Sequence, residues 1–244
     1  MISLNELSKN YGNTIAVNRL NLRAAAGEIY GFIGPNGAGK TTTIRMMGGI
    51  LAPTSGNIVI GGVDIARDPV TVKKMIGFVP DRPFLYEKLT GMEFLRFSAD
   101  LYEVNQLDFP EKAEELLRQF ALLDWADEII EAYSHGMKQR LVIASALLHD
   151  PKIVIIDEPM VGLDPAAVHM VKDIFRRLAR KQTTIFISTH TLSIAEDLCN
   201  RIGVIHKGVL LAEGSVDELK HVTNLGDAGL EEVFLTIVKE NTFS

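Results

Sequence analysis

Eight consecutive residues, Gly34-Pro35-Asn36-Gly37-Ala38-Gly39-Lys40-Thr41, have the types and spacing to hold phosphate, reading G-x-x-x-x-G-K-[ST]. Closely spaced glycines let the backbone curl until successive N–H groups near Gly37 to Thr41 point into one concavity. Lys40 supplies a point charge for β- and γ-phosphates, and the Thr41 hydroxyl is placed to bind Mg²⁺. A second group stands far along the chain, where the apolar run Ile153-Val154-Ile155-Ile156 ends in Asp157-Glu158-Pro159. A buried strand that delivers Asp157 at its carboxyl end can hold the same Mg²⁺, and Glu158 can orient and deprotonate an attacking water.

These groups need particular elements to position them. Ile29-Tyr30-Gly31-Phe32-Ile33 suits a buried strand leading into the glycine loop, and Thr42-Thr43-Ile44-Arg45-Met46-Met47 can start the helix that follows. The positive dipole end and unpaired N–H groups of that helix, with Thr42 in its first turn, join the phosphate contacts. Upstream, Ile2–Leu7 alternates apolar and polar as a half-buried strand does, Ser8–Asn13 is turn chemistry, and Ala16–Leu22 returns as a second strand. Pro53–Gly56 reads as a tight turn into a strand over Asn57–Gly62, giving an antiparallel layer beside the nucleotide-binding strand. Ile76–Val79 is a short buried strand closed by Pro80.

From about Lys88 to Asp150 the pattern turns helical, with helices over Gly91–Leu101, Glu111–Phe120 and Gly136–His149. Beyond Pro151, strands at Ile153–Ile156, Thr184–Ile187 and Ile202–Ile205 alternate with helices near Ala166–Arg180 and Leu192–Leu198, the signature of parallel βα units. The expected fold is therefore α/β: one domain over residues 1–244, with a helical subdomain at about 88–150 inserted in the core.

Composition sets the outer limits. The chain has 244 residues, 47% of them hydrophobic, enough to bury a sizeable core. Its longest uncharged run, Met46–Val63, is interrupted by five glycines and Pro53, so it cannot supply the about 20 apolar residues of a spanning helix. The start, Met1-Ile2-Ser3-Leu4-Asn5-Glu6, carries no secretory pattern. The single cysteine, Cys199, cannot form an internal disulfide and reads as a small buried hydrophobe. A net charge of −6 without a dense Lys/Arg run argues against nucleic acid as a partner, and together these points favour the cytoplasm.

With these motifs in order, nearly the whole chain resembles the ATP-binding cassette (ABC) family. Tyr133-Ser134-His135-Gly136-Met137-Lys138-Gln139-Arg140 stands where that family has its signature, Val161-Gly162-Leu163-Asp164-Pro165 looks like its D-loop, and His190 in Ser188-Thr189-His190 looks like its switch histidine. Tyr11 matches the adenine-stacking aromatic. Taken singly, His190 is as readily a satisfied loop histidine and Tyr11 a packing residue. The resemblance implies a P-loop NTPase core with a mixed sheet, ATP and Mg²⁺ as ligands, and a head-to-tail pair of cassettes, the partner expected to be an identical copy. Each ATP then lies between Lys40 and its loop on one chain and Ser134, His135 and Gly136 of the other. Glu158 acts as base, His190 and Lys40 face the γ-phosphate, and Thr41, Asp157 and Asp81 hold Mg²⁺.

Two positions depart from the family pattern. Asp81 stands where glutamine is usual; its carboxylate is a hard oxygen ligand but shorter and charged. His135 stands where glycine is usual, and its ring either hydrogen-bonds phosphate or points to solvent. The stretch Arg82-Pro83-Phe84-Leu85-Tyr86-Glu87-Lys88-Leu89 either packs under the helical insertion or, as the resemblance implies, receives a coupling helix of an integral membrane permease subunit. Gly229–Leu235 resembles the exporter branch and also reads as a terminal helix docked on the core. The expected function is the ATPase subunit of an ABC transporter, peripheral on the cytoplasmic face of the membrane. The rival is a soluble ABC ATPase of DNA repair or translation, but the heptads of a long coiled-coil insertion and a second phosphate loop are lacking. No asparagine is followed by lysine, as a guanine reader would need.

Overall fold

The computed structural model describes residues 1–82, 84–223, 225 and 228–242. Two sheets divide the strands. The first is antiparallel and contains β1 (Ile2–Tyr11), β2 (Thr14–Ala24), β4 (Ser55–Ile60) and β5 (Val63–Asp64) in the order β2-β1-β4-β5. The second runs β10-β9-β3-β8-β7-β6, from β3 (Ile29–Ile33), β6 (Ile76–Val79), β7 (Ile153–Asp157), β8 (Thr184–Thr189), β9 (Arg201–His206) and β10 (Val209–Gly214). Its strands are parallel except β10. Every residue of β3, β7 and β8 is buried, which is why these strands read as unbroken apolar runs.

Helices cover the parallel sheet: α1 (Lys40–Met47), α2 (Pro69–Lys74), α3 (Gly91–Leu101), α4 (Phe109–Gln119), α5 (His135–Leu147), α6 (Pro165–Arg180), α7 (Leu192–Leu198), α8 (Val216–Val222) and α9 (Leu230–Thr242). Helices α3, α4 and α5 fall between β6 and β7, in the stretch expected to be helical. Phe94, Leu95, Phe109, Leu117, Phe120 and Leu141 of this stretch share a core with Ile156 and Ile187 of the sheet. On the other side, Phe186 stacks on Tyr30 at 5.3 Å between ring centroids and meets Phe32 at 5.5 Å, within the core shared with β1, β2 and β4.

Some expectations need correction. Ser8–Tyr11 is strand rather than turn, because β1 pairs with β2 through Lys9↔Val17, Asn10↔Ile15 and Tyr11↔Thr14, leaving the turn to Gly12 and Asn13. Bulges in β1 absorb the mismatch, with Glu6 at φ 48°. Unforeseen were α2, which buries only Val72, and β10 and α8, whose residues are mostly half-exposed and carry little periodic signal. Cys199 packs under Gly31, where an added Cβ would lie 2.7 Å from its Sγ; burial pushes the thiol up to about 12, which keeps it protonated at neutral pH. Among the described residues no helix is long and apolar enough to cross a membrane.

Candidate functional site

Strand register decides what meets at the carboxyl edge of the parallel sheet. Ile33 pairs with Thr189, Asp157 with Ser188 and Val79 with Ile156. The segments leaving β3, β6, β7 and β8 therefore emerge side by side, where ligands bind in open α/β sheets. They line a cleft of about 420 Å³: Asn36, Gly37, Gly39, Lys40, Thr41 and Thr42 from the glycine loop and α1, with Asp81, Asp157, Glu158 and His190 from the strand ends. Ala16 of β2 and Val161 complete the lining.

The loop is built on backbone that only glycine adopts cheaply. Gly39, the residue before α1, has φ +107°, and a Cβ there would lie 2.5 Å from the Ala16 carbonyl oxygen. Lys40 is 6% exposed and folds back over the loop, its Nζ donating to the carbonyls of Gly34 at 2.6 Å and Pro35 at 3.2 Å. Burial lowers its pKa, while the charges of Glu158 and Asp157 pull it back up. The ammonium is thus held by groups that phosphate oxygens can replace.

Thr41 and Asp157 form the next contact, with Thr41 Oγ1 donating to Asp157 Oδ2 at 2.8 Å. Asp157 is buried, and its Oδ1 has no hydrogen-bond partner. A bare buried carboxylate oxygen is costly. Burial pushes the Asp157 carboxyl up, the Ser188 and Thr41 hydroxyls beside it pull it part of the way back, and the Asp81 and Glu158 charges push it up again. A divalent cation would relieve all three effects. Among the described residues no group of three or more His, Cys, Asp or Glu is gathered around a metal position. One hydroxyl and one or two carboxylates instead suit Mg²⁺, which takes few protein ligands and fills its octahedron with water and substrate phosphates. Asp81 fits as the outer member, since it lines this cleft and the neighbouring one that contains Thr41 and Asp157.

Glu158 sits at φ 53°, a left-handed position for a non-glycine residue, and its N–H donates to the Ser188 carbonyl at 2.9 Å. That bend aims its carboxylate across β8. Thr189 Oγ1 donates to Oε2 at 3.0 Å, the His190 N–H donates to Oε1 at 3.0 Å, and His190 Nδ1 lies 2.7 Å from the same oxygen. Glu158 and His190 are therefore one unit. Thr189 was not among the expected site residues; the signal available was its hydroxyl directly before His190.

Other expected residues stand apart from this cleft. Tyr11 is 49% exposed at the end of β1, with Lys9 Nζ 5.5 Å from its ring centroid, and does not line the cavity. Ser134 caps α5, its hydroxyl accepting from the Met137 N–H at 3.2 Å, and His135 and Gly136 open that helix. Their N–H groups form a helix N-terminus with the chemistry to receive an anion from another molecule. Of the Arg82–Leu89 stretch, Pro83 lies outside the described residues. Leu85 and Leu89 pack against the core, as the packing reading expects, while Phe84 and Tyr86 stay exposed.

The family model for ABC transporters matches residues 17–161. Bacitracin transport ATP-binding protein BcrA of Bacillus licheniformis is 40% identical over 221 residues, covering 90% of this chain and 71% of that protein. A solved ATP-binding subunit of an ABC transporter superposes with a TM-score of 0.92 at 33% identity, over 98% of this chain and 99% of that one. A dimeric ATP-binding cassette in a post-hydrolysis state, bound to ADP and phosphate, superposes with a TM-score of 0.78 at 25% identity, over 88% and 99%.

Proposed function

The chain belongs to the ABC transporter family, and from that premise we propose how its residues carry out the work of an ATP-binding, ATP-hydrolysing transporter subunit. The observation that carries the reading is the Thr41–Asp157 hydrogen bond, which joins the phosphate loop to the strand end while leaving Asp157 Oδ1 unpartnered. Thr41 and Asp157, with Asp81 outside them, would hold Mg²⁺. Bound there, Mg²⁺ would neutralise charge on the β- and γ-phosphate oxygens.

The residues of this chain divide the remaining tasks. Backbone N–H groups from Gly37 to Thr42 cradle the phosphates, Gly34, Pro35, Asn36 and Ala38 shape the loop, and Lys40 leaves its two carbonyls for the γ-phosphate. Glu158 takes the proton of the attacking water, and His190, anchored to the same carboxylate, reaches the γ-phosphate. Ser134, Gly136 and the backbone N–H of His135 face the ATP held by a second cassette, proposed to be an identical copy. Tyr11 stacks on adenine once nucleotide and partner arrive. ABC cassettes dimerise and act with membrane permease subunits; in this chain the Arg82–Leu89 stretch, with its exposed Phe84 and Tyr86, forms the docking surface beside the helical subdomain at about 88–150. The protein is then peripheral on the cytoplasmic face of the membrane. The kinship with a bacitracin transport protein supports a transport role, for which export is the direction proposed.

Two measurements test the proposal. Purified protein should hydrolyse ATP only with Mg²⁺, and Glu158→Gln should abolish turnover while still binding ATP. Solubilising membranes in mild detergent should bring down a multi-spanning protein in stoichiometric amount with the tagged chain. A ribosomal or DNA-repair partner instead would leave the ATP chemistry standing and remove the transporter role.

A further inference from the structure

His135 is exposed, but one edge of its ring lies against the backbone of Gly162. A Cβ built on Gly162 would lie 2.0 Å from His135 Cδ2 and 2.6 Å from Nε2, so the ring occupies the space a side chain at 162 would need. Gly162 has φ +77°, and the neighbouring Gly136 approaches the same residue, its would-be Cβ lying 3.0 Å from the Gly162 carbonyl oxygen. The start of α5 therefore seats on one glycine of the 158–164 loop from two sides. Gln139, one helical turn on and 5% exposed, makes a long hydrogen bond from Nε2 to the Pro159 carbonyl at 3.5 Å.

That loop begins at Glu158. Val161 N–H returns to the Glu158 carbonyl at 3.3 Å, Leu163 N–H to Met160 at 3.3 Å, and Asp164 caps α6 by accepting from the Ala167 N–H at 2.8 Å. The loop is tied at both ends, and Gly162 is where the helix start presses on its middle. We propose that His135 is a positioning residue for hydrolysis, its imidazole acting as a wedge on Gly162 that couples the start of α5 to the setting of Glu158 within one chain. This rests on the ATPase reading above. When Ser134 and Gly136 engage a phosphate of the partner's ATP, any shift of the α5 start passes through the ring to the loop that carries the base. A glycine at 135 would remove the wedge and leave only the Gly136 approach.

The test is steady-state ATP hydrolysis by the chain purified with its membrane partner. His135→Gly and His135→Ala should lower kcat by about tenfold with the KM for ATP within about twofold, since a misplaced base costs turnover and not ground-state binding. His135→Phe, which keeps a planar ring at the same place, should restore kcat to within about twofold of the parent. Gly162→Ala should also lower kcat, and adding His135→Gly to it should cost less than the sum of the two single changes, because the added methyl collides with the ring only when the ring is there. The strain of alanine at φ +77° is common to both backgrounds and cancels. If His135→Phe behaves like His135→Gly, or if the loss in His135→Gly falls on KM and ATP-driven dimerisation, the ring touches nucleotide or nothing, and the coupling is wrong. Should Gly162→Ala fail to fold, the glycine and phenylalanine variants at 135 still decide. A parent protein without Mg²⁺-dependent turnover would sink the ATPase reading itself, a result distinct from equal kinetics across the His135 series.

Discussion

His190 Nδ1 lies 2.7 Å from Glu158 Oε1, and the backbone N–H of His190 donates to that same oxygen at 3.0 Å. Glu158 and His190 are thus one hydrogen-bonded unit, with the Glu158 side chain 11% exposed and His190 53% exposed. His190→Ala should lower kcat by about 10²-fold or more, because in the proposed mechanism it removes both a γ-phosphate contact and an anchor of Glu158. Thr189→Val should cost less, about a fewfold, since it frees only Oε2. Single-turnover ATP hydrolysis compares the two, and equal losses would mean that Glu158 depends on its anchors alone.

The phosphate loop, both carboxylates and His190 were legible in the sequence because each sits at the end of a short apolar strand, and register then forces neighbours together. Helix α3 was legible to the residue from its apolar spacing, and the structure adds a Thr90/Glu93 capping box at its start. Contacts between distant segments were not. Nothing in the local pattern around His135 announces Gly162, 27 residues later, and the Thr189 hydroxyl is uninformative until the Glu158 bend turns toward it. Helix α8 carried a readable signal, the Ser215/Glu218 box, but its seven residues and single buried Leu219 gave no periodicity to support it.

Asp157 is costly to keep ionised in the nucleotide-free chain. Its raised pKa means that the folded chain binds this proton more tightly than the unfolded chain, so its ionisation subtracts stability as pH rises from the ordinary 3.8 through the folded value. Asp157→Asn should therefore raise the nucleotide-free Tm by a few degrees at neutral pH while abolishing the further rise given by Mg²⁺ with ATP. Thermal melts with and without Mg²⁺ measure both, and a lower apo Tm would contradict the assignment.

Gly39→Ala should be among the most damaging single changes in the loop. The methyl would meet the Ala16 carbonyl oxygen at 2.5 Å at a φ of +107°. About 1–3 kcal/mol of backbone strain, plus displacement of β2 from the loop, should lower stability and eliminate nucleotide binding together. Denaturant unfolding and fluorescent-nucleotide titration should both register the change.

His149 gives the fold an acid limit. Its ring stacks on Tyr102 of the α3 end at 3.8 Å, its Nε2 lies 3.2 Å from the Ile76 carbonyl, and its buried Nδ1 has no partner. Burial lowers its pKa below the ordinary 6.5. The neutral ring is the folded form, so the unfolded chain takes up this proton first; the stability it contributes is full above 6.5 and is lost as pH falls through 6.5 toward the folded value. His149→Phe should flatten the fall in Tm as the pH drops below 6.5, which melts of the nucleotide-free protein would reveal.

Phe84 is 79% exposed and meets Tyr86 edge-on at 5.3 Å, and Tyr86 in turn meets Phe97 of α3 at 5.2 Å. Three aromatic rings in a line at the surface give this chain little: removing Phe84 should change its own unfolding free energy by about 0.5 kcal/mol or less, as for other exposed side chains. They have value only when covered. Burying one such ring against a partner contributes about 1.5–3 kcal/mol, so Phe84→Ala or Tyr86→Ala should weaken association with the membrane subunit by about tenfold or more. ATP binding by the isolated chain should be unchanged, because the rings share no lining residue with the phosphate cleft. Co-purification from solubilised membranes, run beside nucleotide titration, separates the two effects; full recovery of the membrane partner with both variants would move the docking surface elsewhere.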